Sequence, residues 1–308
     1  MPTTTFAGIE MGGTKCICIL GRGPDDIREQ QVVPTADPAS TLEAIARVLE
    51  RWSAASAGFQ AIGVAAFGPL DLRRGSSTYG HLETTPKQLW TGVDLAGFFA
   101  RRFAVPIGIT TDVIGAALAE GRWGAARGLV DYAYVTVGTG VGVGIVSGGR
   151  PLMGCHHPEL GHVRVVRAEG DVWPGACRYH GACVEGLASG SAIEARSGGL
   201  AAQLPEDSPI WDSVAHALGQ LAHHLVLSVA PQRILVGGGV AGARPHLFPR
   251  IRSCLAASLN GYLDIPEVNQ ALASYIVAPG LDARAGPLGA LAVAQDTAER
   301  AESARAAP

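Results

Sequence analysis

The stretch Tyr132 to Val146, YAYVTVGTGVGVGIV, decides how this chain is read. Valine and tyrosine alternate around glycines 138, 140, 142 and 144, which predicts two strands joined by a glycine-rich bend. Such a bend lets backbone N–H groups approach an anion with no Cβ in the way, and Thr139 adds a hydroxyl donor. The same layout occurs near the start, with Phe6 to Glu10 as a strand, Met11 to Thr14 as a glycine turn and Lys15 to Leu20 as the returning strand. Each bend taken alone also reads as an ordinary hairpin whose glycines supply positive φ. Two copies of one device suggest two half-molecules serving one nucleotide. No G-x-G-x-x-G register opens a helix here and no G-x-x-x-x-G-K-[ST] loop occurs, so a nucleotide would be held by neither the dinucleotide nor the P-loop architecture.

With 308 residues, 17% of them charged, and a mean hydropathy of +0.21, the chain can bury a large core, and its length favours two domains. The net charge of -3 lacks the clustered basic excess that nucleic-acid binding requires. The opening MPTTTFAGIE has no basic segment ahead of an apolar one, and no run of about 18 uncharged apolar residues follows. We therefore expect a soluble, cytoplasmic protein with no membrane or nucleic-acid partner. Cys16, Cys18 and Cys254 sit in apolar patterns as small buried hydrophobes, whereas Cys155, Cys177 and Cys183 lie close together beside histidines. In a reducing compartment that second group reads as metal-binding.

Along the chain, Arg28 to Val33 extends the first hairpin, and a helix opens at Pro38 to Thr41 with Ser40 or Thr41 as its cap. Ala61 to Ala66 is a buried strand ending in Phe67-Gly68-Pro69, residues 75–93 form a long loop, and Asp94 caps the next helix. The strand Ile107 to Thr110 leads to Asp112 at the start of an alanine-rich helix. A carboxylate there reads either as a helix cap or as a general base at the carboxyl edge of a sheet. After the second hairpin, Cys177-x-x-His180-x-x-Cys183 places three soft ligands in one loop, and His162 completes a tetrahedral zinc set, with His156 or His157 as alternatives. Glu159 and Glu185 beside it read as solvated surface or as acceptors for sugar hydroxyls. A long helix from Ile210 ends before Pro231, Arg233 to Val236 is a strand running into Gly237-Gly238-Gly239, and the tail after Arg300 is expected to fray.

Taken in order, six pieces resemble the ROK (repressor, open reading frame, kinase) family of sugar kinases, which has the actin-like, hexokinase-like ATPase fold. They are Gly8-Ile9-Glu10-x-Gly12-Gly13-Thr14-Lys15, Asp112 followed by Ala116 to Glu120, Gly138-Thr139-Gly140-x-Gly142, Glu159-Leu160-Gly161-His162, the Cys and His loop ending Cys183-Val184-Glu185, and Gly237-Gly238-Gly239. Glu10 in the first piece, and Thr84-Thr85-Pro86-Lys87 followed by Trp90, look like the bacterial fructokinase branch.

The resemblance implies an α/β fold of two actin-like, ribonuclease H-like domains with an interdomain active-site cleft and a zinc-binding loop. Residues 1–112 would form the smaller domain, with helix 286–308 packed back on it, and 113–285 the larger. By position, Asp112 would be the catalytic base. Gly12, Gly13, Thr14, Lys15, Gly138, Thr139, Gly140, Gly237, Gly238 and Gly239 would bind ATP and its phosphates. Gly68, Pro69, Thr85, Pro86, Lys87, Asp112, Glu159, His162 and Glu185 would bind sugar. His162, Cys177, His180 and Cys183 would hold structural Zn2+, and Glu10 would reach Mg2+ directly or through water. Ile114 departs from the Asn of many relatives, and His81 and Glu83 are also less usual. The implied activity is ATP-dependent phosphorylation of D-fructose to D-fructose 6-phosphate by a homodimer. The alternatives are a kinase of mannose, glucose or an N-acetylhexosamine and, more remotely, a non-catalytic sugar-binding regulator.

Overall fold

The computed structural model describes residues 5–55, 58–85 and 87–306; Pro86, expected among the sugar contacts, lies outside the described residues. In chain order the elements are β1 (Phe6–Met11), β2 (Lys15–Gly23), β3 (Asp26–Pro34), α1 (Pro38–Ala55), β4 (Ile62–Ala66), α2 (Leu95–Arg102), β5 (Ile107–Thr111) and α3 (Asp112–Trp123). They continue with β6 (Tyr132–Val137), β7 (Val141–Ser147), β8 (Arg150–Pro151), α4 (Val184–Ala188), α5 (Gly190–Ser197), α6 (Ile210–Val229) and β9 (Arg233–Gly237). The rest are α7 (Gly238–Gly242), α8 (Leu247–Leu259), α9 (Pro266–Asn269), α10 (Leu272–Tyr275), β10 (Ile276–Val277) and α11 (Ala285–Ala306). The chain divides into two compact units, the first running through Trp123 and taking in 153–157 and the residues from Ala283 on, the second holding Gly124–Leu152 and Pro158–Asp282.

In the first unit a five-stranded sheet has the order β3-β2-β1-β4-β5. The hairpin strands β3, β2 and β1 pair antiparallel, while β1, β4 and β5 run parallel. Gly8, Gly63 and Gly108 are neighbours in register across those three parallel strands. Helix α11 lies on this track: a Cβ on Gly63 would run into the Ala290 carbonyl, one on Gly8 would come within 2.9 Å of Leu291 N, and one on Gly108 would meet the Thr297 hydroxyl. Helix α3 packs against α11 where Gly115 meets Gly289: a Cβ on Gly289 would run into the Gly115 backbone, and one on Gly115 would come within 2.9 Å of the Ala65 Cβ. The remaining core of this unit gathers Ile9, Met11, Ile45, Leu49, Trp90 and Phe99.

The second unit repeats the plan with the order β10-β9-β6-β7-β8, antiparallel over β8, β7 and β6 and parallel over β6, β9 and β10. Helix α6 buries Trp211, Val214, Leu218, Leu221 and Leu225 in the core of this unit, where Ile251 and Leu255 of α8 also lie.

Two local expectations change. Helix α1 is capped by Asp37, whose Oδ1 accepts from Ser40 N at 3.0 Å, and not by Ser40 or Thr41. Pro38, with its preset φ, takes the first helical position, which moves the cap to Asp37 just before it. The tail does not fray after Arg300: alanine, glutamate and arginine, all good helix formers, carry α11 to Ala306.

Candidate active site

The parallel strands of the first unit end together, with Met11, Ala66 and Thr111 in register, so Glu10, the Phe67-Gly68-Pro69 turn and Asp112 all emerge at one carboxyl edge. Ligands of open α/β sheets bind at such edges. Asp112 is the first residue of α3, and its Oδ1 accepts from its neighbour Val113 N at 2.7 Å. The capping bond of α3 comes from Thr111, whose Oγ1 accepts from Ile114 N at 3.3 Å. The helix therefore has a cap without Asp112. Burial pushes Asp112 from 3.8 to about 6. Glu10 is raised to about 7, first by burial, then by the charge of Asp112, with Lys15 opposing both. A buried carboxylate raised further by the charge of a second one is a place where a cation is favoured. Ile114, where many relatives carry Asn, is buried. Behind the edge, His157 Nε2 accepts from Leu70 N at 3.1 Å and backs Gly68.

The two glycine turns share an internal design. Gly12 N donates to Lys15 O at 3.0 Å, and Gly138 N donates to Gly140 O at 2.9 Å. The N–H groups of Gly12 and Gly138 are thus spent inside the turns, which leaves anion binding to the residues that follow each. The positive-φ explanation for these glycines fails: none of Gly12, Gly13, Gly138 and Gly140 has positive φ. Space explains part of the pattern, since a Cβ on Gly12 would lie 2.8 Å from Lys15 O and one on Gly140 2.6 Å from Glu185 Oε2. At Gly138 a Cβ would meet nothing within 4 Å. Gly138 therefore faces open space. Lys87, expected at the sugar, reaches over the first turn, its Cε 3.4 Å from where a Gly13 Cβ would stand.

In the second unit a cavity of about 300 Å³ opens beside Gly138 and Thr139, lined also by Gly190, Ser191, Glu194, Ala201, Ala202, Trp211, Gly239, Val240, Ala243 and Arg244. Its wall is tied to the turn by Gly190 N donating to Gly138 O at 2.7 Å and Ser191 Oγ donating to Thr139 O at 3.0 Å. Of the triple glycine, Gly238 takes φ +88°, Gly237 has no room for a side chain against Tyr134 and Pro279, and Gly239 is open to the cavity. Glu194, Trp211 and Arg244 escaped the sequence reading. They come from α5, α6 and the loop after α7, and no spacing rule gathers residues so far apart.

The four cysteine and histidine ligands converge in the same unit: the ligand atoms of His162, Cys177, His180 and Cys183 all lie within 4.8 Å of one another. His162 stands in the turn after Glu159, Cys177 and Gly181 close a tight turn by exchanging backbone bonds, and Cys183 caps α4. Cys177 Sγ is 3.7 Å from both His162 Nδ1 and His180 Nδ1, and Cys183 Sγ is 3.7 Å from His162 Nδ1. A tetrahedron with Zn–S of about 2.3 Å and Zn–N of about 2.1 Å has S···N edges of about 3.6 Å, so the donor set has the size of a zinc site. The alternatives His156 and His157 are engaged elsewhere, with Glu83 and Leu70, and Cys155 is exposed outside the cluster. His162 turns its other nitrogen, Nε2, towards Glu185 Oε1 at 3.9 Å, while Glu185 Oε2 accepts from Val141 N at 3.1 Å. Glu159 is exposed.

The solved ROK hexokinase of Thermus thermophilus superposes with a TM-score of 0.77 at 26% identity, covering 96% of this chain and all of that one. The fold is thus that of the actin-like, two-domain α/β kinases. The sequence profile of the ROK family matches residues 6–297, and the chain belongs to that family. It is 36% identical to the fructokinase of Pediococcus pentosaceus over 94% of this chain and 97% of that protein. It is 38% identical to the fructokinase of Zymomonas mobilis over 94% and 96%. Among the described residues no helix is long and apolar enough to cross a membrane.

Proposed function

We propose that the protein is an ATP-dependent fructokinase that transfers a γ-phosphoryl group to the 6-hydroxyl of D-fructose. What carries the choice of fructose is that the fructokinases named above align over nearly their whole length. Phosphoryl transfer needs positioning and charge neutralisation more than covalent chemistry. Asp112 is the base that takes the hydroxyl proton: its raised pKa puts it near neutrality, where a carboxylate both ionises and accepts a proton well. The amides of Gly13, Thr14, Thr139 and Gly140, with Lys15, hold the phosphate oxygens, and Gly12, Gly138 and Gly237 to Gly239 allow the close approach. Gly68, Pro69, Thr85, Pro86, Lys87, Glu159, His162 and Glu185 supply the sugar contacts. Lys87 over the first glycine turn also suits phosphate.

Glu10 is the protein carboxylate for a magnesium ion that travels with the nucleotide and neutralises its phosphates. In this reading His162, Cys177, His180 and Cys183 hold a zinc ion that orders the loop, with His162 donating from Nε2 to sugar or Glu185. The protein works in the cytoplasm as a homodimer. A panel of fructose, mannose, glucose and N-acetylhexosamines at fixed ATP, read by coupled ADP release, tests the reading. Fructose should give the highest kcat/KM by at least about tenfold, a difference of about 1.4 kcal/mol; a higher value for any other sugar would reassign the substrate.

A further inference from the structure

We propose that the cavity of the second unit selects its nucleotide at the ribose and not at the base, with Glu194 reading the vicinal 2′,3′-diol. The proposal rests on the kinase reading above. On the wall that would face a base, the terminal nitrogens of Arg244 are spent on backbone carbonyls and its Nε is buried without a partner among the described residues. Arg244 donates from Nη2 to Ala201 O at 3.1 Å and Ala202 O at 2.8 Å, and from Nη1 to Ala243 O at 3.0 Å. Its guanidinium lies 5.3 Å from the ring centroid of Trp211, whose Nε1 donates to Pro205 O at 2.7 Å. What this wall offers a base is alanine and valine side chains and the Arg244 guanidinium, because the Trp211 indole itself is fully buried. Such a surface buries any purine by area, and the guanidinium, committed at Nη1 and Nη2 and buried at Nε, does not tell an amino edge from a keto edge.

The other polar lining groups differ. Ser191 Oγ is committed to the Thr139 carbonyl. Glu194 is exposed on α5 and makes no side-chain hydrogen bond or ion pair among the described residues. A carboxylate has two oxygens, and a cis-diol offers two adjacent donors to match them. Ser191 and Glu194 are three residues apart on one helix, so their side chains are neighbours about 5–6 Å apart. The serine pins the glycine turn that holds phosphate, which puts the carboxylate one step further along a nucleotide, where the ribose is.

The test compares ATP, GTP, ITP and 2′-deoxy-ATP as donors to saturating fructose, in the wild type, Glu194→Gln and Glu194→Ala, with calorimetric binding of ADP and 2′-deoxy-ADP to the same proteins. In the wild type, kcat/KM for GTP and ITP should stay within about tenfold of ATP. The value for 2′-deoxy-ATP should fall about 10- to 100-fold, the usual weight of a charge-assisted hydrogen bond. Both variants should bring ATP down to the wild-type 2′-deoxy-ATP value or below it, since the 3′-hydroxyl contact is lost as well, and Glu194→Ala should erase the difference between ADP and 2′-deoxy-ADP. A wild type indifferent to the 2′-hydroxyl, a Glu194→Ala variant that keeps the ribose preference, or a loss above about 100-fold for GTP would overturn the proposal while leaving the kinase reading standing. Ribose-selective binding without phosphorylation of any hexose would overturn the kinase reading and leave this one standing.

Discussion

Asp112 and Glu10 are adjacent carboxylates whose surroundings hold both above the ordinary range, and that has kinetic and thermodynamic consequences with definite signs. In the proposed role of base, Asp112 must be ionised, so kcat/KM for fructose should fall on the acid side with an apparent pKa of about 6. Asp112→Asn should lower kcat by at least about 10², remove that limb, and leave ATP binding close to wild type; a loss under threefold would take Asp112 out of the mechanism. For stability, the folded chain holds these protons more tightly than the unfolded chain, so folding weakens as pH rises from about 4 through about 7 and is flat beyond. Removing the charge should therefore help. Asp112→Asn and Glu10→Gln should melt higher than wild type at pH 8 and level with it at pH 4, in metal-free buffer. Melting that is lower at pH 8 would mean the carboxylates are satisfied by partners. Asp112 stood out in the sequence because a carboxylate between a strand and a helix has few roles, cap or base among them. Its alternative role as a cap could not be dismissed from sequence, since only the bond from Ile114 N to the Thr111 hydroxyl shows that the helix is capped without it.

At the scale of elements, the glycine track explains how a helix from the far end of the chain comes to sit on the first sheet. Gly8, Gly63 and Gly108 remove three side chains from one row, and α11, rich in alanine, settles into backbone contact. Gly63→Ala should cost at least about 2 kcal/mol in urea unfolding, because the new methyl would overlap the Ala290 carbonyl of a rigid helix. Gly199→Ala, where a Cβ meets nothing within 4 Å, should stay within about 0.5 kcal/mol. Equal effects at the two sites would mean that α11 is free to shift. Both sheets' hairpins were legible from alternating valine, isoleucine and tyrosine. The track was not, because a glycine inside a strand announces only that something comes close. Its partner lies almost two hundred residues or more along the chain. The cluster of two cysteines and two histidines was legible for the opposite reason: three of the four are packed into seven residues. The cavity wall was illegible because its residues come from separate elements and are joined by long-range contacts such as Arg244 to Ala201, which no local pattern encodes.

At the scale of the whole molecule, one sheet plan is used twice, and what distinguishes the second copy is the segment between its hairpin and α4 that carries the four ligands. This segment has little core of its own, with Val166, Val172 and Tyr179 exposed, so a metal is the natural source of its order. It is also joined to the site. Gly186 has no room for a side chain against Cys177 and Gly181, Cys183 starts the helix that carries Glu185, and His162 bridges from the cysteines to that carboxylate. Burial raises the Cys183 thiol, so forming the thiolate requires a cation, and binding one must release a proton. We predict one zinc per chain by mass spectrometry, held more weakly as the pH drops. Stripping it with a chelator, or replacing Cys177 by Ser, should raise amide exchange across residues 158–188 while leaving β1 to β5 unchanged. The KM for fructose should rise about 10- to 100-fold, with ATP affinity changing less, because the metal acts by orienting His162 and Glu185 and not by touching the nucleotide. Exchange that rises equally in both units would make the metal a general stabiliser, and unaltered exchange in a zinc-free protein would remove it from the fold altogether.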